Sequence, residues 1–297
     1  MLIGVNHPRL AVLALLAVAA AWGSTFFLTK DLLTRMDVAD YLALRFLIAS
    51  VALVLIHPPA IARLSRLDRG RAVALGITYG IAQLVQTEGL RHTSASVSGF
   101  VTGMYVVFTP LLAAVILRHK IGRWAWGAVI LATVGLGVLS LRGLSMGTGE
   151  LLTLASAGLY ALHIIGLGAW STPRNAFGLS SLQMVVITVV CAIGALPGGF
   201  TVPSTGGDWV SVIYMALVAG ALALIVQTWA QAHLTPTRAA IAMTTEPVFA
   251  SAFAVLFGTE SVTWRMLVGG ALVLSAMYLV ELAPRRKFEA EVQHLAQ

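Results

Sequence analysis

Residues 9–29 read RLAVLALLAVAAAWGSTFFLT, with Arg9 the sole charge and Ser24, Thr25 and Thr29 the only hydroxyl side chains. As a helix rising 1.5 Å per residue, this run would be about 31 Å long, matching the hydrocarbon core of a bilayer. Arg9 ahead of the run and Ala19-Ala20-Ala21 inside it imitate a signal peptide. The run continues apolar through Phe27-Leu28, however, past the roughly 7–15 residues of a signal core. It is expected to be a membrane span.

Nine more runs of the same kind follow. With the first, they cover 9–29, 39–57, 71–90, 95–117, 122–141, 149–169, 179–197, 207–231, 236–258 and 263–283. The breaks carry turn chemistry or charge: His57-Pro58-Pro59, Arg118-His119-Lys120, Pro173-Arg174-Asn175, Pro197-Gly198-Gly199 and Thr235-Pro236. The whole chain has 297 residues, 58% apolar and 10% charged, with a mean hydropathy of +0.88. Soluble domains run near 45–50% apolar and about 25% charged, and cannot hide this much apolar surface. Ten spans of about 20 residues use roughly 200 of the positions and leave only short loops. The expected fold is an all-α polytopic membrane protein of ten transmembrane helices. A soluble enzyme, a disordered tail protein and a single-span receptor are excluded.

The net charge of +7 is not gathered on a domain, as a nucleic-acid partner would need. It sits in the gaps between apolar runs. With the N-terminus cytoplasmic, the inside holds Arg9, the Arg63/Arg66/Arg69/Arg71 group, Arg118, Lys120, Arg123, Arg174, Arg238, Arg285, Arg286 and Lys287. The outside holds Lys30, Arg35, Arg91, Arg142 and Arg265. Thirteen against five over short loops is a positive-inside signal. Both termini are therefore expected in the cytoplasm of a bacterial-type inner (plasma) membrane. The single cysteine, Cys191, lies within an apolar run and allows no intramolecular disulfide.

A weak self-similarity recurs at an offset near 140 residues. Lys120-Ile121-Gly122-Arg123-Trp124 falls against Glu260-Ser261-Val262-Thr263-Trp264, and Pro110 and Pro247 break the fourth and ninth runs. Five spans per copy is an odd number, so the second copy enters the membrane from the opposite side. That predicts two inverted five-helix repeats around a central cavity. The expected divisions are 1–145, 146–283 and a basic cytoplasmic tail at 284–297.

Four groups of residues then resemble a known family. Ala21-Trp22-Gly23-Ser24-Thr25-Phe26 with Lys30 resembles the first-span signature of the drug/metabolite transporter superfamily, EamA type. Leu44-Arg45-Phe46-Leu47-Ile48-Ala49 resembles its second-span motif, and Gly89-Leu90-Arg91-His92-Thr93-Ser94-Ala95-Ser96 its junction between spans three and four. Arg238-Ala239-Ala240, Glu246-Pro247-Val248-Phe249-Ala250 and Gly258-Thr259-Glu260 resemble its ninth span and exit. One departure is Lys120, where the family often carries Glu. The resemblance implies a ten-helix basket that moves small metabolites, most often outward. It extends to the aromatic amino-acid exporters of the YddG type, with Tyr79 and Tyr160 at positions where such an exporter places aromatic cavity residues.

No Gly-x4-Gly-Lys-Ser/Thr loop, no His/Cys set at metal-ligand spacing and no nucleophile–base pair is visible, so no catalytic residue, metal or cofactor is expected. What remains is polar side chains at membrane depth, which are costly and usually face a bundle interior or cavity. Tyr79, Gln83 and Gln86 fall on one helical face, with Gln83 about 18 Å from the entry at Arg71. The bland reading is interhelical hydrogen-bond glue; three in one stripe favour a cavity. Ser156, Tyr160 and His163 share another face, and His163 either packs, meets a substrate carboxylate or titrates.

Phe100 and Met104 suit core packing or the cavity wall, with Gly99 and Gly103 marking a close helix contact. Gln227 and Gln231 form an amide pair expected near the cytoplasmic end, as gate or glue, and Trp22 lines the cavity or packs. Glu246 lies about 15 Å deep ahead of Pro247. It is a coupling proton site, a contact for a substrate ammonium, or a carboxyl tied to backbone groups freed by the proline. Arg45 is placed nearer the outer face, snorkelling, and Glu88, Glu150 and Glu281 at the interfaces.

The expected substrate-binding set is thus Trp22, Tyr79, Gln83, Gln86, Phe100, Met104, Tyr160, His163, Gln227 and Glu246. The expected activity is export of amino acids, aromatic or otherwise neutral, or related small amphipathic metabolites, by alternating access. A membrane-embedded enzyme and a channel-like permease are the competing classes. The expected partners are a small-molecule substrate and the lipid bilayer, with no nucleic acid, for a monomer.

Overall fold

The first apolar run becomes α1, His7–Leu32. The others follow in register with the hydropathy: α2 (Val38–Ile56), a single turn α3 (Pro59–Ala62), α4 (Arg66–His92), α5 (Ala95–Thr102), α6 (Tyr105–Ile116) and α7 (Arg123–Ser140) in the N-terminal half. The C-terminal half has α8 (Thr148–Trp170), α9 (Ala176–Ala195), α10 (Gly206–Ala216), a π-helical turn (Leu217–Leu222), α11 (Ala223–Gln231), α12 (Glu246–Leu256) and α13 (Trp264–Leu282). The structure, a computed structural model, describes residues 7–116, 123–140, 146–172, 174–197, 199–231, 234 and 242–282. The turn at Lys120, the Thr235-Pro236 and Arg238 segment, and the expected tail at 284–297 lie outside the described residues. So do Arg118, Arg142 and the side chains of Arg9, Arg123, Gln231 and Glu281.

Among the described residues, six helical stretches are long and apolar enough to cross a membrane: 10–32, 38–56, 95–116, 148–170, 176–195 and 206–230. Three shorter apolar helical stretches, at 126–139, 246–256 and 264–279, stand beside them. Leu13, Leu55, Ile130, Leu196, Leu256 and Leu267 are all more than 60% exposed on the outer surface of the bundle. A water-soluble protein rarely shows apolar surface on this scale, whereas lipid tails cover it.

Local chemistry sets where the helices start and break. Ser65 Oγ accepts from Asp68 N, Ser94 Oγ from Val97 N and Thr205 Oγ1 from Asp208 N, each satisfying a free amide in a first turn. The fourth run does not break at Pro110, which sits inside α6; it breaks seven residues earlier, in the turn at Gly103-Met104. The chain is closely packed at this turn: a Cβ on Gly103 would strike Met277 and Pro247, and one on Gly99 would come within 2.6 Å of the Ala250 Cβ.

The ninth run does break beside its proline: helical residues 242–243 are followed by a turn at Thr244-Thr245, and Pro247 stands in the first turn of α12, where no amide is needed.

The helices of the two halves interleave. α4 packs on α8 and α9, α2 on α9, α1 on α12 and α11, α5 on α12, and α7 on α13. Small residues make the closest crossings, as bilayer-embedded helices require. Gly89 of α4 meets Gly149 and Thr153 of α8, and Gly23 of α1 meets Phe249 and Ala250 of α12.

Candidate functional site

A cavity opens where α1, α2, α4, α8, α11 and α12 converge. It offers about 60 Å³ to the centre of a water-sized sphere, room for a few waters at roughly 15 Å³ each. α1 contributes Trp22, Thr25, Phe26 and Thr29, and α2 contributes Arg45. α4 contributes Tyr79, Gln83, Gln86 and Thr87, and the broken fourth run gives Thr102 and Tyr105. From the C-terminal half come Tyr160, His163 and Ile164 of α8, Gln227 of α11, Met243, and Glu246 of α12.

The aromatic wall is a T-shaped chain. The Tyr79 ring lies 5.4 Å from that of Tyr160 at 68°, 4.9 Å from His163 at 62° and 6.4 Å from Phe46 at 85°. Such edge-to-face pairs are the favoured geometry for rings. Tyr160 Oη donates to Gln86 Oε1 at 2.8 Å, and Gln86 Nε2 donates to Thr102 Oγ1 at 2.9 Å. Gln86 thereby links α4, α5 and α8. His163 Nε2 is 2.9 Å from Gln183 Oε1 on α9, with Gln183 itself donating to the Leu179 carbonyl.

The charged wall consists of one cation and one anion. Arg45 is 5% exposed, so the expectation that its side chain snorkels to water is corrected. Its Nε donates to the Met215 carbonyl at 3.1 Å and its Nη1 to Tyr41 Oη at 3.2 Å, while the guanidinium stands 5.1 Å over the Phe46 ring. The π-helical turn beside Met215 explains why a backbone carbonyl is open to a side chain here. A second one, Ala219 O, accepts from Trp22 Nε1 at 2.9 Å. Glu246 Oε2 accepts from Tyr105 Oη at 3.0 Å. Gln227 lines the cavity, and among the described residues its buried Oε1 has no hydrogen-bond partner.

Eight of the ten residues singled out from sequence are in this wall. The other two, Phe100 and Met104, belong to a packed cluster with Val106, Val273 and Met277, where the Phe100 ring fills the space a Cβ on Gly270 would take. Sequence reasoning missed Arg45 and Tyr105. An arginine within an apolar run was signal enough for the first. Tyr105 was hidden because the helix break at Gly103 resets the register after it. Glu150, expected at the interface, is buried and accepts from Thr93 Oγ1 at 2.8 Å.

Comparison with known proteins places this architecture. The EamA-like transporter family matches twice along the chain, over residues 9–141 and again over 147–282. An uncharacterized transporter of Archaeoglobus fulgidus is 29% identical over 276 residues, covering 92% of this chain and 86% of that protein. A probable terminal-alkyne amino-acid exporter of Streptantibioticus cattleyicolor is 24% identical over 279 residues, covering 91% and 93%. One solved crystal structure superposes with a TM-score of 0.64 over 92% of this chain and 97% of that one, at 16% identity, a likeness of fold alone.

Proposed function

Because the chain belongs to the EamA-like transporter family, we propose that it is a secondary exporter of amino acids, aromatic or otherwise neutral, or of related small amphipathic metabolites. Its relatives are transporters and not enzymes, and it is a multi-pass membrane transporter. One observation carries the finer reading. The cavity between the halves joins an aromatic wall to a guanidinium, a carboxyl group and side-chain amides. An apolar wall with a few placed polar groups suits a ligand with an apolar side chain and a polar end. The similarity to a probable amino-acid exporter and the Tyr79–Tyr160 pair support aromatic or other neutral amino acids.

The proposed mechanism is alternating access between two inverted repeats, residues 1–145 and 146–283, in an inner membrane with both termini cytoplasmic. The doubled family match and the helix pairs that cross between the halves support this division. The cavity lies between elements of both halves, so their relative rocking would open it to one side at a time.

The deciding experiment is counterflow in proteoliposomes holding the full chain. Vesicles loaded with unlabelled phenylalanine, leucine or methionine are expected to accumulate the labelled amino acid, and empty vesicles are not. No accumulation of any neutral amino acid by correctly reconstituted protein would overturn the proposal.

A further inference from the structure

Arg45 and Glu246 bring a guanidinium and a carboxyl group to the wall of one cavity. Among the described residues neither has an oppositely charged partner within 4 Å. Each is instead held by neutral groups. The Met215 carbonyl and the Tyr41 hydroxyl fix the Arg45 guanidinium through Nε and Nη1. The Tyr105 hydroxyl fixes one oxygen of Glu246. Arg45 Nη2 makes no bond to a described residue, yet it is not among the buried side-chain atoms that lack a partner. Glu246 Oε1 stands in the same position.

Holding two ionised groups inside a span is costly unless they meet each other or meet something of opposite charge. A third group completes the pattern. Gln227, 2% exposed and on the same wall, has an oxygen shielded from solvent with no donor among the described residues. A buried acceptor left without a donor is costly, and a ligand N–H would remove that cost.

We propose that Arg45 binds the carboxylate of the cargo while Glu246 and the Gln227 oxygen bind its ammonium, so that the cavity selects zwitterions over singly charged analogues of the same size. This deepens the amino-acid export reading and rests on it. The guanidinium is suited to the role because its planar fork can offer paired donors to a carboxylate. Its Nε and Nη1 anchors fix its direction before the ligand arrives. Arg45 is thus a specificity-determining residue.

The test uses three ligands of nearly one shape: phenylalanine, phenylalaninamide, which is cationic only, and 3-phenylpropanoate, which is anionic only. Binding is measured on the purified full-length chain in lipid nanodiscs. Wild type is expected to prefer phenylalanine to either analogue by about tenfold or more, the value of one charge-assisted hydrogen bond. Arg45→Met is expected to weaken phenylalanine and 3-phenylpropanoate by that factor and to spare the amide. Glu246→Gln is expected to weaken phenylalanine and the amide and to spare 3-phenylpropanoate.

Ligand ratios taken within one preparation do not depend on the folded fraction, so partial misfolding does not mask the result. If neither variant folds, the wild-type preference decides alone. Equal binding of all three by wild type, or equal losses for all three in the variants, would overturn the assignment and leave amino-acid export standing if counterflow is positive. Absence of counterflow for every amino acid would overturn the export reading itself.

Discussion

At the scale of single residues, the cavity divides into groups that hold and groups that are held. Gln86 spends its oxygen on Tyr160 and its amide on Thr102, and His163 spends one nitrogen on Gln183. Both brace the aromatic wall. Tyr79, in edge-to-face contact with Tyr160 and His163, is the ring a cargo side chain would meet. A ring pair is worth about 0.5–1.5 kcal/mol beyond its burial. Tyr79→Ala and Tyr160→Ala should therefore weaken phenylalanine several-fold in transport assays and alanine much less. His163→Ala should follow the same pattern, because its ring reaches Tyr79. A uniform loss across substrates, with poor folding, would make these residues packing alone. Tyr105 makes a separate prediction. Tyr105→Phe removes the sole described hydrogen-bond donor to Glu246, so it should cost about 1–3 kcal/mol of stability. Thermal melting of the purified chain checks that, with an unchanged midpoint as the contrary result.

At the scale of elements, the periodic features were legible and the irregular ones were not. Tyr79, Gln83 and Gln86 lie on unbroken α4, where 3.6 residues per turn can be counted without error, and all three are in the cavity wall. What counting along α2 could not give for Arg45 was its burial, which depends on Met215 and Tyr41, contacts that no local pattern announces. The π-helical turn at Leu217–Leu222 is equally silent in sequence, since VAGAL reads as ordinary apolar helix. The breaks were half legible. The ninth run does break just ahead of Pro247, which then begins α12, whereas Pro110 stands inside α6. Glycine at a crossing was the better signal, because bulk is forbidden there in any conformation. A Cβ on Gly89 would sit 2.6 Å from Thr153 Oγ1 and 2.7 Å from Gly149 O. Gly89→Val should thus separate α4 from α8 and cost about 1–3 kcal/mol, as overpacking does. Size-exclusion profiles and melting temperature measure this, and a profile identical to wild type would show that the crossing yields freely.

At the scale of the whole molecule, the two ends of the bundle are tied differently. At the end bearing the α1–α2 turn, Arg35 bonds both Asp31 and Asp208 of α10, with 2.7 Å to Asp208. Hydrogen bonds from Asp31 and then Asp208 push the Arg35 guanidinium further above its already high range, so its charge is permanent. Lys30 Nζ donates to the Leu90, Arg91 and Thr93 carbonyls at the end of α4, and Glu260 accepts from the Ala95 and Ser96 amides that begin α5. Asp40 accepts from Thr201 N and Oγ1. At the opposite end, the ring contacts are Arg71 over Trp170 at 5.7 Å and His57 against Phe177 at 5.7 Å. By the proposed orientation the tied end faces outward, and an exporter must release its ties to discharge cargo. Arg35 is partly exposed, so water and salt screen its pair, and about 1 kcal/mol is the appropriate size. That corresponds to a roughly fivefold shift in a two-state equilibrium. In Asp208→Asn, a cysteine placed at Thr87 on the cavity wall should react about fivefold faster with an impermeant maleimide added outside intact cells. A second cysteine at Gly206 reports orientation in the same cells and should label without permeabilisation. Labelling at Gly206 only after permeabilisation would invert the topology. An unchanged rate at Thr87, with Gly206 labelled from outside, would mean that the Arg35–Asp208 pair does not hold the gate.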